Sequence, residues 1–139
     1  MRVLCIARHP MLSEHIASLC ASAAVDCHPV VGMIEGMHAA RVSQPEVVLC
    51  EVDLLVPDAM RAWEEDPVVS LVPLLAVSLS RRQNETPMLL GAPVAGYLYL
   101  PTLGSHDLGR ALAAASGHGT SAPRDAYRWS RDTESAPIA

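Results

Sequence analysis

RVLCIARHPML, residues 2–12, decides the fold. Arg2 to Ala7 is a short apolar run rich in strand formers, the pattern of a strand buried on both faces of a parallel sheet. Pro10 then suits the first turn of a helix. Leu12, Ile16, Leu19, Cys20 and Ala23 follow at helical spacing and give an amphipathic helix of about three turns. A buried strand that runs straight into an amphipathic helix opens an alternating α/β chain.

The alternation continues outward from that stretch. Cys27 to Val31 (CHPVV) is a weaker strand, and Pro29 suggests an edge. Met33 to Ser43 carries a short helix, which Gly36 weakens. After Pro45, Glu46 to Cys50 (EVVLC) is a clear strand. Pro57 to Asp66 reads as a helix that Pro67 ends. Pro73 to Val77 (PLLAV) is a fourth strand, followed by a polar stretch and a brief helix around 87–90. Gly96 to Leu100 (GYLYL) is the fifth strand. Ser105 is the expected N-cap of a last helix, with Asp107 favouring its start and Leu108, Ala111, Leu112 and Ala115 forming its apolar stripe. Five strand–helix alternations imply a parallel sheet covered on both faces.

The length, 139 residues, fits one domain with a single core. With no Phe in the chain, Leu, Val, Ala and Met must fill that core. The formal net charge of -5 argues against a nucleic-acid groove or an anionic membrane surface. All ten basic residues are Arg, so Lys-dependent chemistry is excluded. Cys5, Cys20, Cys27 and Cys50 match no zinc spacing and read as buried thiols. No secretion signal and no apolar run of about 18–20 residues is present, so a soluble, cytoplasmic protein is expected. Residues 1–116 form the expected domain. Residues 117–139 turn to Gly, Ser, Pro and charge, the composition of a flexible tail. That tail holds Tyr127 and Trp129 among Arg124, Arg128 and Arg131, and reads either as a disordered end or as a docking segment.

In open doubly wound sheets, ligands bind beyond the carboxyl ends of the strands. Four short motifs there resemble response-regulator receiver domains. RVLCIARHPML (2–12) is similar to the family's opening strand and turn, which usually ends in Asp-Asp and His-Pro. PEVVLCEVDL (45–54) resembles the run that ends in the phosphorylated Asp. VPLLAVS (72–78) resembles the fourth strand with its terminal Thr or Ser, and GYLYLP (96–101) the fifth strand that ends in Lys-Pro. The resemblance covers about residues 1–116. It implies a flavodoxin-like sheet in strand order 2-1-3-4-5. It also implies a mechanism: acidic residues hold magnesium beside the phosphoacceptor, and a hydroxyl and a Lys contact the incoming phosphoryl group. The hydroxyl's movement couples to an aromatic ring on the fifth strand.

Most of those positions depart from the family. Ala7 and Arg8 stand where the acidic pair belongs, Glu51 at the phosphoacceptor and Leu100 at the Lys. Ser78, Tyr97 and the Pro101 turn match. Magnesium needs hard oxygen ligands, which Ala7 lacks, and Arg8 puts a cation where the metal would sit. Leu100 offers nothing to a phosphoryl group. Glu51 is one methylene longer than Asp, and misplacement on that scale alone costs about 10²-fold. Magnesium binding and phosphotransfer are therefore not expected, nor is any enzyme activity. Arg8 and Glu51 are candidates for an ion pair across neighbouring strand ends, with Glu51 mimicking a phosphoryl charge and Arg8 the cation. Asp53 is a second carboxylate nearby, expected to cap the loop or face water. His9 reads as a turn residue.

The leading functional expectation is a phosphorylation-independent signalling module that binds a protein partner or a second copy of itself. The face expected to dock lies on the fourth helix, fifth strand and last helix, with Arg81, Arg82, Met88, Leu89, Tyr99 and Leu103. The alternatives are a phosphoacceptor with unusual residues and a small-ligand sensor that uses the vacated pocket. An enzyme on this fold lacks the Gly-rich phosphate loop it would need.

Overall fold

A computed structural model of the chain describes residues 1–79 and 94–117. It contains β1 (Arg2–Ala7), α1 (Pro10–Ser22), β2 (Asp26–Val31), α2 (Met33–Ser43), β3 (Val47–Glu51), α3 (Pro57–Glu65), β4 (Leu74–Ser78), β5 (Val94–Tyr99) and α4 (Ser105–Ser116). The five strands are all parallel, in the order β2-β1-β3-β4-β5. This is the expected α/β doubly wound sheet, with β2 and its Pro29 at an edge. The helix expected around 87–90 lies outside the described residues, as does the tail from 118 onward.

The period of two along each strand divides the apolar residues between two cores. Val3, Cys5, Val47, Leu49, Leu75 and Val77 face α1 and α4, where they meet Ile16, Cys20, Leu108 and Leu112. Leu4, Ile6, Val48, Cys50, Leu74 and Ala76 face α2 and α3, where they meet Ala40, Met60 and Trp63. The central strands therefore show no polar alternation, because each of their faces is covered.

Gly36 has a tertiary reason that helix propensity misses. A Cβ there would meet Ile6 Cγ1 at 2.8 Å and Cγ2 at 2.9 Å. Ile6 is fully buried, so α2 lies this close to the sheet only because residue 36 has no side chain.

Several boundaries move by a residue or two. β3 runs on to Glu51 and β4 to Ser78, so the two candidate site residues end their strands. β5 stops at Tyr99, and Leu100 instead opens a 3-10 turn, Leu100–Thr102, that contains Pro101. The N-cap of α4 is Gly104 rather than Ser105, which is already helical, and Asp107 sits in the first turn as expected. Among the described residues, no helix is long and apolar enough to cross a membrane.

Candidate functional site

Parallel pairing brings the candidate residues together. Ile6 of β1 lies opposite Cys50 of β3, so the chain leaves β1 beside the end of β3. Arg8 is the first residue beyond β1, and Glu51 is the last residue of β3. Glu51 is only 2 % exposed. A carboxylate this deep must be paired or bonded, since an uncompensated buried charge is costly.

Arg8 supplies the bonds. Its main-chain N–H donates to Glu51 Oε1 at 2.8 Å, and its Nε donates to Oε2 at 2.9 Å. One residue therefore satisfies both carboxylate oxygens. The far end of the same guanidinium, Nη2, lies 3.1 Å from Asp53 Oδ2. Asp53 stands in a 3-10 turn, Val52–Leu54, that follows β3 directly. The expected Arg8–Glu51 pair is thus present. The expectation for Asp53 is corrected: it is a second partner of Arg8, because the tight turn carries it back toward the strand ends.

Of the other candidate positions, Ala7 and Ser78 end strands at this edge, whereas Leu100 and Tyr97 pack into the cores. Ala7 is fully buried and ends β1. Ser78 is half-buried at the end of β4. Leu100 is buried in the α1/α4 core, where its side chain adds apolar contact and no charge. Tyr97 packs against the α2/α3 core, Tyr99 is half-buried and Pro101 is exposed. His9 is the exposed N-cap residue of α1 and makes no side-chain cap bond, in keeping with a turn role. Of the expected docking face, Tyr99 and Leu103 are half-buried, and Arg81, Arg82, Met88 and Leu89 lie outside the described residues.

With this geometry in hand, the chain can be set beside known proteins. No family model and no curated protein matches it. Solved structures do. One is the receiver domain of a sensor histidine kinase from Pseudomonas aeruginosa PAO1, whose active-site cleft coordinates a magnesium ion. It superposes with a TM-score of 0.71 at 21% identity, over 84% of this chain and 97% of its own. A response regulator receiver domain protein from Clostridium thermocellum gives 0.69 at 14% identity, over 84% and 94%. A chemotaxis response regulator of Vibrio cholerae gives 0.66 at 14% identity, over 80% and 94%. The fold is the receiver fold.

Sequence reading missed the contacts made by two further arginines, Arg2 and Arg41. Arg2 donates from Nη1 and Nη2 to the carbonyls of Ser43 and Gln44, at 2.9 and 3.0 Å, and its main-chain N–H donates to Glu46 Oε1 at 2.7 Å. Arg41 Nε lies 2.7 Å from Asp66 Oδ2. The partners are some 25 to 44 residues apart in the chain, and no local spacing signals them.

Proposed function

We propose that this chain is a pseudo-receiver, a signalling module that acts by binding a protein partner independently of aspartate phosphorylation. The observation that carries this reading is the Arg8 guanidinium held between Glu51 and Asp53, at 2.9 and 3.1 Å. The Pseudomonas receiver domain coordinates magnesium in its cleft. The residues at this chain's strand ends do not fit that ion. Ala7 offers no side-chain oxygen, and the two carboxylates already face a fixed cation.

The rest of the site supports the same reading. Phosphoryl transfer depends on cationic groups that spread and neutralise charge. Leu100 stands where the resemblance implies a Lys, and it is buried in apolar contact. Arg8 is engaged by two carboxylates, so its charge is largely neutralised before any phosphoryl group arrives. Glu51 accepts one hydrogen bond from Arg8 on each oxygen, which fixes the carboxylate in place and draws electron density from the atoms an acceptor would use. What remains is a rigid receiver scaffold whose signalling edge is held in one state by an internal ion cluster.

Incubation of the full chain with acetyl phosphate and magnesium, followed by intact-mass measurement, tests this directly. An unchanged mass is expected. A stable gain of one phosphoryl group on Glu51 or Asp53 would overturn it and favour the phosphoacceptor reading. Sedimentation of the purified chain over a range of concentrations then distinguishes a second copy from an unlike protein as the partner.

A further inference from the structure

Val42 and Leu71 are large apolar residues that face water, 72 % and 82 % exposed. Val42 lies near the end of α2, next to Arg41, whose Nε lies 2.7 Å from Asp66 just beyond α3. Asp66 in turn accepts the Val68 and Val69 N–H groups, at 2.8 and 3.0 Å. Those two bonds anchor the 3-10 turn Val69–Leu71, which packs against both α2 and α3. Pro67, also exposed, lies between Asp66 and that turn. Val42, Pro67 and Leu71 therefore gather around one fixed ion pair, as an apolar patch between the ends of two helices.

The rim of this patch is acidic. Glu64 and Glu65 close α3 and are exposed. The carboxyl end of a helix carries partial negative charge, so carboxylates there are disfavoured unless a cation answers them. The last turn of α3 holds no basic residue. Arg61, a turn earlier, lies 3.0 Å from Asp58 at the other end of the helix, and Arg41 is engaged by Asp66. A segment that fits this surface brings aromatic side chains for the apolar centre and arginines for the rim.

The chain itself contains such a segment. RDAYRWSR, residues 124–131, sets Tyr127 and Trp129 among Arg124, Arg128 and Arg131, with Asp125 its one acid. These residues lie outside the described ones, but the topology fixes where they start. All five strands are parallel, so each helix carries the chain back from carboxyl ends to amino ends. α2 ends before β3 and α3 before β4, which places the patch at the amino ends. α4 leaves the carboxyl end of β5 and returns beside α1, so Gly117 comes to that same end. Tyr127 is ten residues beyond Gly117, and ten residues reach at most about 33 to 36 Å. Crossing from the α4 layer to the α2/α3 layer takes about 20 Å, two packed layers of about 10 Å each.

We propose that this patch is the docking surface for the chain's own segment 124–131. Tyr127 and Trp129 cover Val42, Pro67 and Leu71, and the arginines face Glu64 and Glu65. A patch this small holds a separate peptide weakly, but a tether of this length raises the effective concentration to about the millimolar range. The contact forms at the end of the sheet opposite Arg8, and it holds whether or not the carboxyl ends take a phosphoryl group.

The test compares amide NMR spectra of the full nitrogen-15-labelled chain and of a variant carrying Tyr127→Ala and Trp129→Ala, each at low and high protein concentration. Loss of the two rings is expected to shift the amides of Val42, Glu64, Glu65 and Leu71 as well as those beside the substitutions. The shifts are the same at both concentrations, and they shrink in about 1 M salt as the charges are screened. Glu64→Arg with Glu65→Arg moves the same patch amides toward their positions in the ring-less variant. Adding Arg124→Glu, Arg128→Glu and Arg131→Glu moves them back. All these positions but the two on α3 lie beyond the folded core, and Glu64 and Glu65 are exposed, so the variants keep the fold. Shifts confined to the substituted segment would overturn the proposal, as would shifts on another face or a charge swap that restores nothing. Patch shifts that grow with concentration would overturn it too, because a second copy's segment would then be the occupant.

Discussion

Each end of the sheet carries an arginine that bonds across the chain, and the two do different work. At the amino ends of the strands, Arg2 donates to the last carbonyls of α2. Those acceptors lie near water and need no partner from this residue in particular; the contact helps to cap a helix and join it to β1. At the carboxyl ends, Arg8 donates to Glu51, whose side chain is 3% exposed. Water cannot take over there. The comparison shows that the burial of the acceptor, rather than the presence of an arginine, decides how much such a contact matters.

The sharpest way to break this comparison is Arg8→Ala. It leaves Glu51 buried with a single main-chain donor, and a cost of about 2–3 kcal/mol is expected, below that of a fully buried pair because Arg8 is half exposed. Chemical denaturation measures it directly; an unchanged midpoint would mean the cluster contributes nothing. If the guanidinium stands in for a cation, millimolar magnesium should recover a few degrees of melting temperature in Arg8→Ala and none in the parent. A smaller effect is the coupling itself. In a cycle of Arg8→Ala, Glu51→Ala and the double variant, the double should be less damaged than the sum of the singles, by about 1–2 kcal/mol. Strict additivity would show that the two side chains act independently.

Arg2→Ala should cost less, under about 1 kcal/mol, since solvent replaces the guanidinium at the exposed carbonyls. A loss as large as that of Arg8→Ala would remove the distinction between the two ends. The weakest effect is confined to acid. The Arg41 hydrogen bond, with the Val69 and Val68 N–H groups, holds Asp66 down at about 2, against an ordinary 3.8. Its folded value is depressed, so the stability it contributes is present above pH 3.8 and is lost as pH falls toward 2. Asp66→Asn should therefore flatten the fall in melting temperature over that window. An unchanged acid slope would show that Asp66 is not the group responsible.

Much of the receiver fold was legible in the chain because its signals are local. The unbroken apolar run of β1 and the proline at the start of α1 depend only on neighbours a few residues away, and both match the structure. The Arg8–Glu51 pair was legible only through the strand order that the family resemblance implied. Asp53 was placed rightly in the loop but expected to cap it or face water, because the turn that swings it onto Arg8 leaves no pattern in composition. Gly36 looked like a weakness in α2, whereas contact with Ile6 makes it a requirement.

By itself, then, the sequence determined the alternation of strands and helices and the apolar faces that must be covered. These follow from residue type and short-range spacing. The tertiary structure alone decided that Arg8 bridges two carboxylates and that Arg2 and Arg41 tie distant segments together. Each of these joins residues on different elements, and only the packing of a parallel sheet against its helices brings such groups within a few ångströms.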